Sequence, residues 1–219
     1  MRTDLFRSSP SPPRRLVLAV TEPDEAAALF AAASEGAEEP WAMIAVSGVD
    51  WNRELSPWPA PPAFRRGEAF GGKAETLLKT LTEETLPQAR AALGAEDAPC
   101  VIAGYSLAGL FALWALLRGA GFAGAVSASG SLWFPGFREW AIRQPLTGRP
   151  AVYLSLGDRE AASRNPVTGS VAEETKRLAA HFTALGLPSV FAWNPGDHFA
   201  EPTARLARGI RWALAHTAS

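Results

Sequence analysis

Three residue types that together perform acyl-transfer chemistry sit at comparable places along this 219-residue chain, each just after a short apolar run. Ser106 follows PCVIAGY, within AGYSLAG (103–109). Asp158 and Glu160 follow AVYLSL, within GDRE (157–160). Asp197 and His198 follow SVFAW, within NPGDH (194–198). A serine hydroxyl becomes a useful nucleophile only when an imidazole accepts its proton. The imidazole in turn needs a carboxylate to hold its tautomer and stabilise the imidazolium. Of the other histidines, His181 lies inside a helical pattern and His216 near the chain end, places suited to surface or packing roles.

The elements that must position these groups alternate along the chain. RLVLAV (15–20), WAMIAV (41–46), CVIAG (100–104), GAVSAS (124–129), AVYLSL (151–156) and SVFAW (189–193) are nearly continuous apolar runs. Such runs suit strands buried on both faces of a parallel sheet. Helical patterns separate them: PDEAAALFAAASEG, KAETLLKTLTEETLPQARAALG with Pro87 as a kink, LAGLFALWALLRG, SVAEETKRLAAHFTALG, and a last one over roughly 203–216. Repeated strand–helix–strand order predicts one three-layer α/β domain over 15–219. Residues 1–14, rich in Ser and Pro, read as an irregular lead-in. Two long inserts, 49–72 and 131–150, are rich in Trp and Phe and read as ordered covers rather than disorder.

In an α/β sheet, ligands collect beyond the carboxyl ends of the strands. Ser106, the acid and His198 all exit strands there, in the order serine, acid, histidine known from α/β hydrolases. The acid has two candidates. Glu160 stands third after Gly157, the usual spacing in such enzymes, whereas Asp158 directly follows that glycine and is suited to bracing the turn. Asp197, adjacent to His198, reads as a turn residue. AGYSLAG departs from G-x-S-x-G, because Ala108 fills the fifth position and Gly109 arrives one place late. The Leu107 N–H, at the start of the following helix, is the first oxyanion donor expected. A second belongs to the loop after RLVLAV, around Thr21 and Glu22, since Pro23 has no N–H.

Other chemistries find little support. Gly71-Gly72-Lys73 lacks P-loop spacing, no histidine–carboxylate group has metal-ligand spacing, and no cofactor is expected. The 21 basic and 22 acidic side chains nearly cancel, so nucleic acid and anionic membranes are not expected partners. Cys100 is the sole cysteine and lies in an apolar run, which excludes an internal disulfide and suits a packed thiol. The opening residues lack a signal-type apolar stretch, and a cytoplasmic protein is expected.

FGGKAETLLKTLTEETLP, GYSLAGLFALWAL, SASGSLWF and NPGDHF, with VDWNREL and SLGDREAASRNP, carry a resemblance. The sequence resembles the esterase branch of the α/β-hydrolase superfamily that contains esterase D-type, feruloyl and enterochelin esterases. The resemblance implies an α/β-hydrolase fold shortened at its N-terminal edge. It implies Ser106 as nucleophile, His198 as general base and an acid in GDRE. The activity expected is hydrolysis of a small or medium ester, siderophore- or aryl-ester-like. A thioesterase or acyltransferase on the same site, or a non-catalytic binding protein, are the alternatives. Trp133, Trp51, Tyr105 and Arg53 are the substrate-contact candidates, with Trp58 completing a lid. The sequence gives no oligomeric state.

Overall fold

The computed structural model describes residues 1–162 and 165–217. Ser163 and Arg164, within SLGDREAASRNP, and Ala218 and Ser219 lie outside the described residues. In chain order the elements are β1 (Arg2–Arg7), β2 (Arg15–Val20), α1 (Ala26–Ser34) and β3 (Trp41–Ser47), then α2 (Trp51–Glu54) and the short β4 (Pro59–Ala60) and β5 (Phe70–Gly71). There follow α3 (Ala74–Thr80), α4 (Leu86–Leu93), β6 (Cys100–Tyr105), α5 (Leu107–Leu117), β7 (Gly124–Ala128), α6 (Phe137–Ala141) and β8 (Ala151–Gly157). The last are α7 (Pro166–Gly169), α8 (Val171–Ala184), β9 (Ser189–Asn194) and α9 (Pro202–His216). Among the described residues no helix is long and apolar enough to cross a membrane.

The main sheet runs β1-β3-β2-β6-β7-β8-β9, with every pair parallel except β1 against β3. Alternate side chains of each strand feed two cores. Leu16, Leu18, Ile44, Ile102 and Leu154 pack on the face covered by α3 to α6 and α8. Val17, Ala19, Met43, Val101 and Tyr153 pack on the other, against Leu29 of α1 and Leu206 and Ile210 of α9. Both faces are covered at β2, β3, β6, β7 and β8, which is why those strands read as continuous apolar runs. β9, at the far edge of the sheet, is only half-buried and leaves Trp193 46 % exposed, so the expectation of burial on both faces is corrected there. Helix α5 lies deepest, with all eleven residues buried. Each large apolar side chain so buried contributes roughly 1.5–3 kcal/mol.

The order in which strands are added to the sheet reverses between the parallel neighbours β2 and β6. From β2 the chain steps outward to β3, then crosses back over β2 to β6 and continues to β9. The strand ends part at such a reversal, and a crevice opens there. Ser106 and Thr21 stand on its two sides.

The lead-in expectation is corrected at residues 2–7. They form β1, which pairs with β3 from Arg2 opposite Ser47 to Arg7 opposite Ala42. An edge strand needs one backbone partner and one half-buried face, so RTDLFR lacks a long apolar run. Phe6 is its anchor and stacks on Phe30 of α1 at 5.3 Å. A single antiparallel strand therefore flanks the parallel ones at this short edge.

Pro87 lies four residues past Glu83, whose carbonyl it cannot serve. The chain widens to a π-turn over Leu81–Thr85, where the Leu86 N–H bonds Leu81 O, and then resumes as α4. The two long inserts are ordered and meet each other. Trp58 Nε1 donates to Pro135 O at 3.0 Å, and its ring packs edge-on against Phe134 and Trp140. Phe70 packs edge-on against both Phe134 and Trp133.

Candidate active site

Ser106 occupies the tight turn between β6 and α5 with φ 56° and ψ −122°. A non-glycine residue held there costs on the order of 1–3 kcal/mol. Packing and hydrogen bonds hold it. Its N–H donates to Ala128 O at 3.1 Å, and its carbonyl accepts from the N–H groups of Leu110 and Ser131. The turn brings α5 back so closely that a Cβ on Gly104 would lie 2.3 Å from Ala108 O, so only glycine fits. The displaced glycine has its own explanation. A Cβ on Gly109 would lie 3.0 Å from Gly104 O and 3.1 Å from both Gly130 Cα and Ser127 Oγ. The smallest residue is needed at 109, where α5 crosses β6 and the β7 exit together, while alanine suffices at 108.

Three strand exits converge on this serine. His198, in the loop between β9 and α9, places Nε2 2.9 Å from Ser106 Oγ. Its Nδ1 lies 2.8 Å from Glu160 Oε2. Glu160, just past β8, is 8 % exposed, and its Oε1 accepts from Ser129 Oγ and the Gly157 N–H, both at 2.6 Å. Burial raises its carboxyl pKa, but the hydrogen bonds from His198, Ser129 and Gly157 outweigh burial and hold it below the ordinary value. Asp158 points elsewhere and accepts from the Gly196 N–H at 2.9 Å, tying the β8 exit to the β9 exit. Of the two candidate acids, Glu160 is the one beside His198 Nδ1. Asp197 accepts from the Phe199 N–H and shapes the turn.

A buried arginine, not foreseen from the sequence, completes the cluster. Arg205 of α9 is 2 % exposed, and its Nη1 reaches Glu160 Oε1, Ser129 Oγ and Tyr105 Oη at 3.2–3.3 Å. A signal existed: Arg205 falls on the α9 stripe of buried residues that continues through Leu206, Gly209, Ile210 and Ala213.

Two cavities meet at Ser106 and His198. The smaller, about 280 Å³, lies over the β2–β6 crevice and is bordered by Thr21, Glu22, Glu25, Trp51 and Tyr105. The larger, about 620 Å³, lies on the acid side under Phe64, Trp133, Arg159 and Val171. Phe199 borders both and is 86 % exposed. Trp51 and Trp133 thus line the site from opposite sides. Tyr105 lines it with its ring, but its hydroxyl donates to His198 O at 2.7 Å. Burial pushes the phenol pKa up, against the lowering effect of Ser129 and Arg205. Arg53 lines neither cavity; its stem packs where a Cβ on Gly71 would come within 2.6 Å. The indole of Trp58 is held by Pro135 O and the aromatic cluster rather than at either cavity.

At the expected oxyanion position, Leu107 opens α5, so its N–H belongs to the first, free turn. Thr21 uses its N–H on Val46 O at 3.0 Å, and the next residue, Glu22, borders the smaller cavity.

The fold is shared with solved hydrolases. The chain is similar to the siderophore hydrolase EstA from Aspergillus nidulans, with a TM-score of 0.74 and 21% identity over 95% of this chain and 87% of that one. It is also similar to an IroE-like serine hydrolase from Shewanella oneidensis, with a TM-score of 0.78 and 16% identity over 96% and 79%. Both are likenesses of fold. In sequence it is 27% identical to the uncharacterized protein YbbA of Bacillus subtilis strain 168 over 129 residues, 57% of this chain. That match spans about half, 52%, of YbbA. The model of the family described as "Putative esterase" matches residues 21–202, which takes in the turn at Ser106, the GDRE segment and His198. With that match over most of its length, the chain belongs to this esterase family and carries its α/β-hydrolase fold.

Proposed function

We propose that the protein is a serine carboxylic-ester hydrolase with Ser106 as nucleophile, His198 as general base and Glu160 as the orienting acid. The observation that carries the reading is the unbroken chain Ser106 Oγ, His198 Nε2, His198 Nδ1, Glu160 Oε2, with links of 2.9 and 2.8 Å. Glu160 accepts from Nδ1–H, which leaves Nε2 with its lone pair toward the hydroxyl. Ser106 Oγ attacks the ester carbonyl as His198 takes its proton, and the oxyanion forms between the N–H groups of Leu107 and Glu22. His198 returns that proton to the departing alkoxide, leaving an acyl-Ser106 and a free alcohol. Water, deprotonated by His198, then attacks the acyl-enzyme. The released carboxylic acid restores Ser106, so the two half-reactions balance without a cofactor.

The larger cavity, with Trp133, Phe64 and Phe199 at its walls, supports a small or medium ester with an aromatic or otherwise flat group. The name of the similar EstA makes siderophore-like esters the first natural substrates to try. A fluorophosphonate probe tests the nucleophile: adduct on Ser106 in folded protein, absent in Ser106→Ala, is the result expected. Parallel turnover of p-nitrophenyl esters and acyl-CoA thioesters, with and without an alcohol acceptor, separates the esterase from a thioesterase or acyltransferase. Tight ligand binding with neither labelling nor turnover would leave a binding protein on a hydrolase scaffold.

A further inference from the structure

Arg205 does more than fill space. It is among the largest fully buried side chains, and a buried guanidinium is stable only when its donors and its charge are matched. Its partners come from four successive strand exits. Nη1 reaches Tyr105 at the end of β6, Ser129 after β7 and Glu160 after β8, while Nη2 donates to Pro195 O after β9 at 2.7 Å. Gly157 and Gly196 border it: a Cβ on Gly157 would lie 2.3 Å from Gly196 O and 3.0 Å from Nη1, and one on Gly196 would lie 2.6 Å from Ala200 Cβ and 3.3 Å from Nη2. The seat is therefore built for a planar fork, which lysine does not reproduce.

Both ends of His198 are reached from this seat. Through Glu160 the guanidinium fixes the carboxylate that holds Nδ1; through Tyr105, whose hydroxyl donates to His198 O, it fixes the histidine main chain. The charges form a row: guanidinium, carboxylate, imidazole. Resting on the triad assigned above, we propose that Arg205 is a positioning residue that clamps Glu160 and the His198 backbone and balances the carboxylate charge, so that His198 enters the reaction neutral and aimed at Ser106.

The groups facing the pair fix the sign of the effect. Glu160 is faced by Arg205 from α9, Tyr105 from β6, Ser129 after β7 and His198 itself. The charged groups that border the cavities at His198 are Arg159, Asp197, Glu22 and Glu25. Arg205 is the buried cation of the set and acts on the carboxylate at 3.3 Å. Without it, Glu160 either draws a proton onto His198 or becomes protonated itself. Either route moves the acid limb of activity upward.

The test is Arg205→Met, which keeps an unbranched apolar stem but removes the guanidinium and its charge, alongside Arg205→Lys. Each is assayed for p-nitrophenyl acetate hydrolysis against pH, with a thermal melt to establish folding. In Arg205→Met, kcat is expected to fall by ~10–100-fold with KM changed less than ~3-fold. The acid limb of kcat/KM should move up by about one pH unit. Arg205→Lys should keep the limb near wild type, yet lose at least ~3-fold in kcat because a single ammonium cannot span four strand exits. A folded Arg205→Met with an unmoved acid limb overturns the proposal, whatever its stability. Should the methionine variant not fold, a lysine variant with full wild-type kcat, or with the limb displaced, overturns it instead. A wild-type protein that neither hydrolyses the ester nor labels at Ser106 defeats the esterase reading. Wild-type turnover with indifferent Arg205 variants defeats only this inference.

Discussion

Glu160→Gln is the substitution that separates a catalytic acid from a structural one, because the geometry dictates how the amide must sit. Oε1 accepts from three donors, Ser129 Oγ, the Gly157 N–H and Arg205 Nη1. An NH₂ group turned toward them would face donors only, so the amide oxygen takes this side and the NH₂ faces His198 Nδ1. Nδ1 must then accept, and the ring proton moves to Nε2, where it points at Ser106 Oγ and blocks proton removal. Enforcing the wrong tautomer in this way costs on the order of 10⁴ in kcat, about 5 kcal/mol of barrier. The fold suffers less. Arg205 keeps its oxygen partner but loses its anion, which places the stability cost toward the low end of the ~3–5 kcal/mol seen when buried pairs are broken. For a chain of this size that lowers Tm by ~6–12 °C. Steady-state p-nitrophenyl acetate hydrolysis at 25 °C, with a melt of the same sample, reads both numbers. Asp158→Asn is the control, since it disturbs only the bond to the Gly196 N–H. Refutation is simple: a folded Glu160→Gln within ~10-fold of wild-type kcat, or an Asp158→Asn equally crippled, would mean that the acid is misassigned.

Other predictions follow from single contacts. Glu160 is held below its ordinary carboxyl value of 4.5, so the stability it contributes is complete above that value and is lost as pH falls through the depressed one. The Tm gap between wild type and Glu160→Gln should therefore be constant down to about pH 4.5 and narrow below it; a gap unchanged to pH 3 would contradict the depressed value. Burial pushes the Cys100 thiol up to about 12, so iodoacetamide at pH 8 should label it only after denaturation. Labelling of the folded protein at the unfolded rate would show that β6 opens. Gly104→Ala would press a methyl to 2.3 Å from Ala108 O and should cost more than ~3 kcal/mol, or displace Ser106 and abolish labelling. Gly109→Ala meets neighbours at 3.0–3.1 Å and should cost distinctly less, so equal melts for the two variants would reject this ordering.

What the sequence showed and what it hid divide along physical lines. β2, β3, β6, β7 and β8 were legible because burial on both faces leaves short apolar runs; β9 shows such a run although it is only half-buried, and the apolar run of α5 differs from them by its length. β1 was not legible, since an edge strand draws its stability from one ladder and one anchor, Phe6, and its charged residues look like a solvated tail. The aromatic inserts were legible as ordered, but not that the Trp58 indole bonds Pro135 O or that the Arg53 stem lies against Gly71; composition cannot say which face of a cover a side chain takes.

The site itself was legible because strand exits are a one-dimensional address. Any polar residue directly after a buried strand emerges at the same sheet edge, so Ser106, Glu160 and His198 could be gathered without knowing a single distance. The choice between Glu160 and Asp158 lay below that resolution. Two residues of one turn share an address, and only the seats at His198 Nδ1 and the Gly196 N–H distinguish them. Arg205 has a different kind of address, a helix that returns under the sheet edge, where its arrival depends on the whole fold closing. Its one trace in the sequence is a charge on an otherwise buried stripe. A charge so placed must be matched by an opposite charge or by a full set of acceptors. In this fold the match comes from Glu160 Oε1 together with Tyr105 Oη, Ser129 Oγ and Pro195 O, which ties the last helix to the strand exits of the site.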